Sequence, residues 1–96
     1  MPNLQEVLAQ LRSLPSESTI YVARPWNAEA TAVVCDEEVD GPPAGCGYFL
    51  EVNIARDAVD VWTRWRGGRL PSMDETVGAV IYYAEFDAFM PVEVDR

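Results

Sequence analysis

Ser18-Thr19-Ile20-Tyr21-Val22-Ala23-Arg24 decides the fold of this chain. The segment is rich in β-branched residues and alternates in polarity, so it reads as a strand. Pro25-Trp26-Asn27 breaks it and begins a turn. Thr31 to Asp36 (TAVVCD) reads as a second strand and Gly47 to Val52 (GYFLEV) as a third. The connections are too short for helical crossovers, which makes the pairing antiparallel. Tyr48, Leu50 and Val52 are expected on one face of the third strand, with Tyr21, Val33, Cys35 and Phe49 on the opposite face of the sheet.

Helical patterns lie on both sides of this block. Asn3 can cap a helix and Glu6 can reach back to it, as in a capping box. Leu4, Val7, Leu8 and Leu11 then fall on one face, and Pro15 ends the helix after Leu14. Asn53 to Arg66 reads as a second helix, closed by Gly67-Gly68 in a left-handed C-terminal cap. On its helical wheel Ile54, Ala55, Ala58, Val61, Trp62 and Trp65 share one face, so both tryptophans are expected at the core. Ser72 and Glu75 form a second capping box for a third helix that runs to about Phe89. The expected architecture is α+β, a three-stranded antiparallel sheet with three helices in the order α-β-β-β-α-α. Residues 1–96 read as a single domain, with 91–96 as a tail that frays or adds an edge strand.

The third helix has two apolar faces. Met73, Val77, Val80, Ile81, Ala84 and Ala88 form the core stripe. Ala79, Tyr82, Tyr83, Phe86, Phe89 and Met90 form the opposite one. Such a helix is either central and covered on both sides, or it meets a partner through Tyr82, Tyr83, Phe86 and Phe89.

The charge inventory excludes more than it names. Sixteen Asp and Glu stand against seven Arg, with no Lys and no His, for a net charge of −9. Without histidine the usual general base near neutral pH is absent, and neither Cys35 nor Cys46 can have a histidine to make its thiolate. Schiff-base chemistry has no lysine. The acids sit at helix starts, on helix faces and in the segment Asp36-Glu37-Glu38-Val39-Asp40, with no sign of a buried catalytic pair. A non-enzymatic role is expected, without a cofactor.

Asp36, Glu38, Asp40 and Gly41 imitate the start of a calcium loop, but Gly47 stands where a bidentate glutamate is needed, and Pro42-Pro43 breaks the geometry. No metal is therefore expected, and Asp36, Glu37, Glu38 and Asp40 read as a solvated acidic loop or one that docks a basic partner. Two cysteines are too few for a disulfide framework; they could close that loop, although free thiols suit the expected cytoplasmic address. That address follows from a start without a signal-peptide pattern and from the lack of a membrane-spanning apolar run.

Trp62-Thr63-Arg64-Trp65-Arg66 imitates an aromatic-basic nucleic-acid patch. The wheel turns the tryptophans inward, and Arg56, Asp60 and Arg64 are spaced to pair along the helix. Arg66 and Arg69 remain to grip a carboxylate of this chain or a partner. The negative charge repels nucleic acid and anionic lipid and attracts basic surfaces.

Three segments share a resemblance: Ile20-Tyr21-Val22 with Pro25-Trp26, Tyr48-Phe49-Leu50-Glu51-Val52, and Tyr82-Tyr83-Ala84-Glu85-Phe86-Asp87-Ala88. Together they are similar to a family of small acidic bacterial domains of unknown function. The resemblance spans most of the chain and implies a bacterial source and a compact α+β unit. It carries no functional residue with it.

The functional expectation is a non-catalytic binding protein, most concretely an inhibitor or immunity-type protein covering a basic toxin or nuclease. Its candidate contacts are Asp36, Glu37, Glu38, Asp40, Tyr82, Tyr83, Phe86 and Phe89. The alternatives are a homodimeric structural or housekeeping module and a DNA mimic.

Overall fold

A computed structural model describes residues 2–35 and 45–91. Its elements are α1 (Leu4–Ala9), β1 (Thr19–Ala23), β2 (Ala32–Cys35), β3 (Cys46–Glu51), α2 (Val52–Trp65) and α3 (Met73–Phe86). The strands form one antiparallel sheet in the order β2-β1-β3. This is the expected α+β class and order.

The capping box of α1 closes as expected. Asn3 Oδ1 accepts from the Glu6 N–H at 2.8 Å, and Glu6 Oε1 accepts from the Asn3 N–H at 2.9 Å. The helix is shorter than its apolar stripe suggests and passes into a 3-10 turn over Leu11–Ser13. Arg56 of α2 finishes this end. Its guanidinium donates to the carbonyls of Leu11, Arg12 and Leu14 and to Ser16 Oγ. Carbonyls left over where the short helix stops thus receive a cation from another element.

The inner face of the sheet carries Ile20, Val22, Ala32 and Leu50, all essentially buried. They pack with Leu4, Val7, Leu8 and Leu11 from the first helical segment, Val52, Ala55 and Val59 from α2, and Val77 and Val80 from α3. Between Ile20 and Tyr21 the register slips: Ile20 faces Leu50, whereas Tyr21 faces Tyr48. One step on β1 matches two on β3, so Phe49 is the extra residue of a β-bulge.

That bulge corrects the expected strand faces. Phe49, placed on the outer face by simple alternation, is 1% exposed, and its neighbour Leu50 is 4% exposed. Tyr48, expected beside Leu50, is 55% exposed. Val52 has already become the first residue of α2. A strict period of two cannot bury adjacent residues, but a bulge can. Trp26 covers Phe49 edge-on, with ring centroids 4.8 Å apart.

Both cysteines are free thiols. Cys35 lies opposite Thr19 and Cys46 opposite Ala23, on the two strands that flank β1. Four residues along and two strands across place their Cα atoms about 16 Å apart. A disulfide needs less than about 7 Å, so this register holds the two thiols apart.

At the end of α2 the Gly68 N–H donates to the Thr63 carbonyl at 2.9 Å, and the Gly67 N–H to Arg64 at 3.3 Å. This is a Schellman cap, with both glycines at positive φ. In α3 the Ser72–Glu75 capping box is present. The helix stops at Phe86, before the expected Phe89. Asp87 turns left-handed at φ 55, ψ 36, and its N–H donates to the Tyr83 carbonyl at 2.7 Å. Aspartate tolerates that conformation better than most residues with a side chain. Ala88, expected in the core stripe, is consequently exposed, while Ala79, expected on the opposite face, is buried.

Candidate functional site

The aromatic side of α3 is partly covered by the chain's own return. Had the helix continued, residue 90 would lie about 18 Å from residue 78 along the axis. Instead, a Cβ placed on Gly78 would sit 4.0 Å from Met90 Cε. Residues 88–91 therefore fold back. Phe89 stacks obliquely on Tyr83 at 5.1 Å and edge-on to Trp65 at 6.1 Å. Arg66 anchors the returning chain by donating to the Pro91 carbonyl at 3.0 Å.

The expected interface residues thus divide. Tyr83 is half-buried against the core, and Phe89 is half-buried over it. Tyr82 and Phe86, one turn apart, stack at 4.6 Å, and Phe86 is 60% exposed. Trp65, expected at the core, is 48% exposed. It lies at the last residue of α2, where Phe89 meets its ring edge-on, whereas Trp62 one turn earlier is buried. Trp65 is a candidate contact that the sequence reading assigned to the interior. Asp36, Glu37, Glu38 and Asp40 lie outside the described residues.

Between α2 and α3 runs a groove of about 570 Å³. Trp62 forms its floor, with Gly78, Tyr82 and Met90 around it. Arg66 and Arg69 stack on the Trp62 ring at 4.2 and 4.8 Å from its centroid. Neither arginine is idle. Arg66 also donates to the Trp62 carbonyl at 3.1 Å, and Arg69 grips both oxygens of Glu75 at 3.1 and 3.2 Å. Arg69 and the Ser72 N–H together push the Glu75 carboxyl down to about 2. The sequence expectation that Arg69 grips a carboxylate is met within the chain.

The pairing expected along α2 is replaced by contacts across elements. Asp60 pairs with Arg12 rather than with Arg56 or Arg64, and Arg56 serves the carbonyls after α1. A local spacing rule supplies only a few tenths of a kcal/mol, and these longer contacts outcompete it. Among the described residues, Asp74, Glu85 and Asp87 are exposed and make no ion pair. Burial first, then the carboxylates of Glu51 and Asp87, pushes the Tyr48 phenol above its ordinary value.

Ser18 is the one buried polar side chain among the described residues. No three Cys, Asp or Glu side chains there converge to hold a metal ion, and no helix there is long and apolar enough to cross a membrane. The arrangement offers aromatic surface, a concave groove and carboxylates without an ion pair among the described residues. No family model, curated protein or solved structure matches the chain.

Proposed function

We propose that this chain is a non-catalytic binding protein whose partner is a protein with a basic surface. In its most concrete form it is an inhibitor or immunity-type protein of bacterial origin that covers a basic toxin or nuclease. The observation that carries this reading is the surface around the end of α3. There Phe86 and Trp65 stand exposed beside the groove, and Glu85 and Asp87 make no ion pair among the described residues; Asp74, equally without one there, lies at the opposite end of α3.

Aromatic rings supply large contact area at low entropic cost, and a rim of charge steers a partner of opposite sign. The net charge of −9 also favours this reading over its rivals. Two copies of the chain repel one another, which disfavours a homodimer, and nucleic acid is repelled likewise. A DNA mimic needs acids spaced like phosphates on one surface. The described acids are instead distributed over α1, the turns, β3, α2 and α3.

The test is affinity capture from the source cells at low and high salt. The reading expects one stoichiometric protein with a basic surface, retained at low salt and weakened at high salt. Recovery of no stoichiometric protein at low salt overturns it.

A further inference from the structure

The groove and its rim have opposite chemistry. Inside, the arginine donors are occupied: Arg69 is closed on Glu75, and the Arg66 guanidinium donates to two carbonyls and lies over the face of Trp62. A small anion meets the carboxylates of Glu75 and Asp74 at the wall. An added cation meets two guanidiniums already stacked on the floor. What the groove offers is ring and thioether surface from Tyr82 and Met90, over a Trp62 that is itself buried beneath the two guanidiniums. Among the described residues, Met90 Cε alone comes within 4.0 Å of a Cβ placed on Gly78, so the missing side chain leaves room there.

Along the rim of the groove the charge is negative. Asp74 lies four residues before Gly78 and Glu85 seven after it. Both spacings return to the same helical face, so an acid stands on each side of the gap, about 16 Å apart along α3. Both are exposed, and neither forms an ion pair among the described residues.

We propose that the α2–α3 groove takes one large apolar side chain, of leucine size or aromatic, from a basic segment of the partner protein, while Asp74 and Glu85 hold the Lys or Arg residues flanking it. This rests on the protein-binding reading above and adds where the partner's anchor sits and what kind of residue it is. A central apolar anchor ringed by charge is the usual anatomy of a tight protein contact. The groove's volume lies within the range that receives organic groups of this size.

Two synthetic peptides test it, both rich in arginine and serine, one with a central tryptophan and one with serine in its place. Each is titrated by fluorescence anisotropy at low salt against the native chain, Gly78→Leu and Asp74→Asn/Glu85→Gln. Gly78→Leu fills the groove without changing charge and replaces a poor helix former by a good one, and its thermal unfolding is compared with the native chain because its side chain reaches Met90. Gly78→Ala serves as a milder control. The native chain is expected to prefer the tryptophan peptide by about tenfold or more. Gly78→Leu abolishes that preference, and Asp74→Asn/Glu85→Gln weakens both peptides. Equal binding of the two peptides to the native chain, or an undiminished preference in Gly78→Leu, overturns the groove as anchor site and leaves the basic-partner reading standing. If neither peptide binds, both fall together.

Discussion

Arg66, at the C-cap of α2, donates to the carbonyl of Pro91 at 3.0 Å and so ties the chain that follows α3 to the helix that precedes it. The same guanidinium lies over Trp62, so one side chain supports both the floor of the groove and one of its walls. Arg66→Ala removes two hydrogen bonds and a cation–π contact, each worth about 0.5 kcal/mol at a half-buried, partly solvated site. Urea unfolding is expected to show a loss of about 1–2 kcal/mol. Tryptophan emission should shift to the red as Phe89 loosens from Trp65.

The bulge at Phe49 makes neighbours respond oppositely. Phe49→Ala removes a ring that is 1% exposed and is expected to cost about 3–5 kcal/mol. Tyr48→Ser, at a residue 55% exposed, should stay within about 0.5 kcal/mol. Thermal unfolding of the two variants separates this arrangement from a regular strand, in which their sensitivities would be exchanged.

Two arginines of α2 should differ just as sharply. Arg56→Ala leaves the carbonyls of Leu11, Arg12 and Leu14 without their cationic donor, and a loss of about 2 kcal/mol is expected. Arg64 is exposed and forms no ion pair among the described residues, so Arg64→Ala should be nearly neutral. Chemical denaturation of both variants checks the contrast.

Glu75 gives the α3 cap an acid limit. Its carboxyl falls from the ordinary 4.5 to about 2 in the folded chain, chiefly because of Arg69 and then the Ser72 N–H. A depressed folded value means the stabilisation is present above pH 4.5 and is lost as pH falls toward 2. Stability measured across that window should drop in the native chain and drop less steeply in Glu75→Gln.

The parts of this fold that were legible in the sequence are those where local chemistry and tertiary packing agree. Both capping boxes, the Gly67-Gly68 cap and the antiparallel strands follow from residue type and spacing, and no distant contact opposes them. The bulge was not legible, because two adjacent apolar residues in a strand fit either face until the partner strand sets the register. The early end of α3 was hidden for a related reason. Nothing between Tyr83 and Met90 breaks a helix by composition, and the left-handed turn at Asp87 is maintained by Phe89 and Pro91 returning to α2.

The candidate site was legible in half. Tyr82 and Phe86 remain as accessible aromatic surface, whereas Tyr83 and Phe89 cover one another, and Trp65 takes the exposed place expected for them. Gly78 was the available signal for the groove. A glycine inside an otherwise apolar helix costs about 1 kcal/mol and points to a close approach or a gap on that face.

The central claim is that this acidic chain binds a basic protein through the aromatic end of α2 and α3. Its most direct measurement compares capture by the native chain with capture by Trp65→Ser/Phe86→Ser, at equal folded concentration and low salt. A stoichiometric partner with a basic surface is expected on the native chain and is lost from the variant although the variant remains folded. Equal recovery by the two chains, or no stoichiometric partner on either, would contradict it.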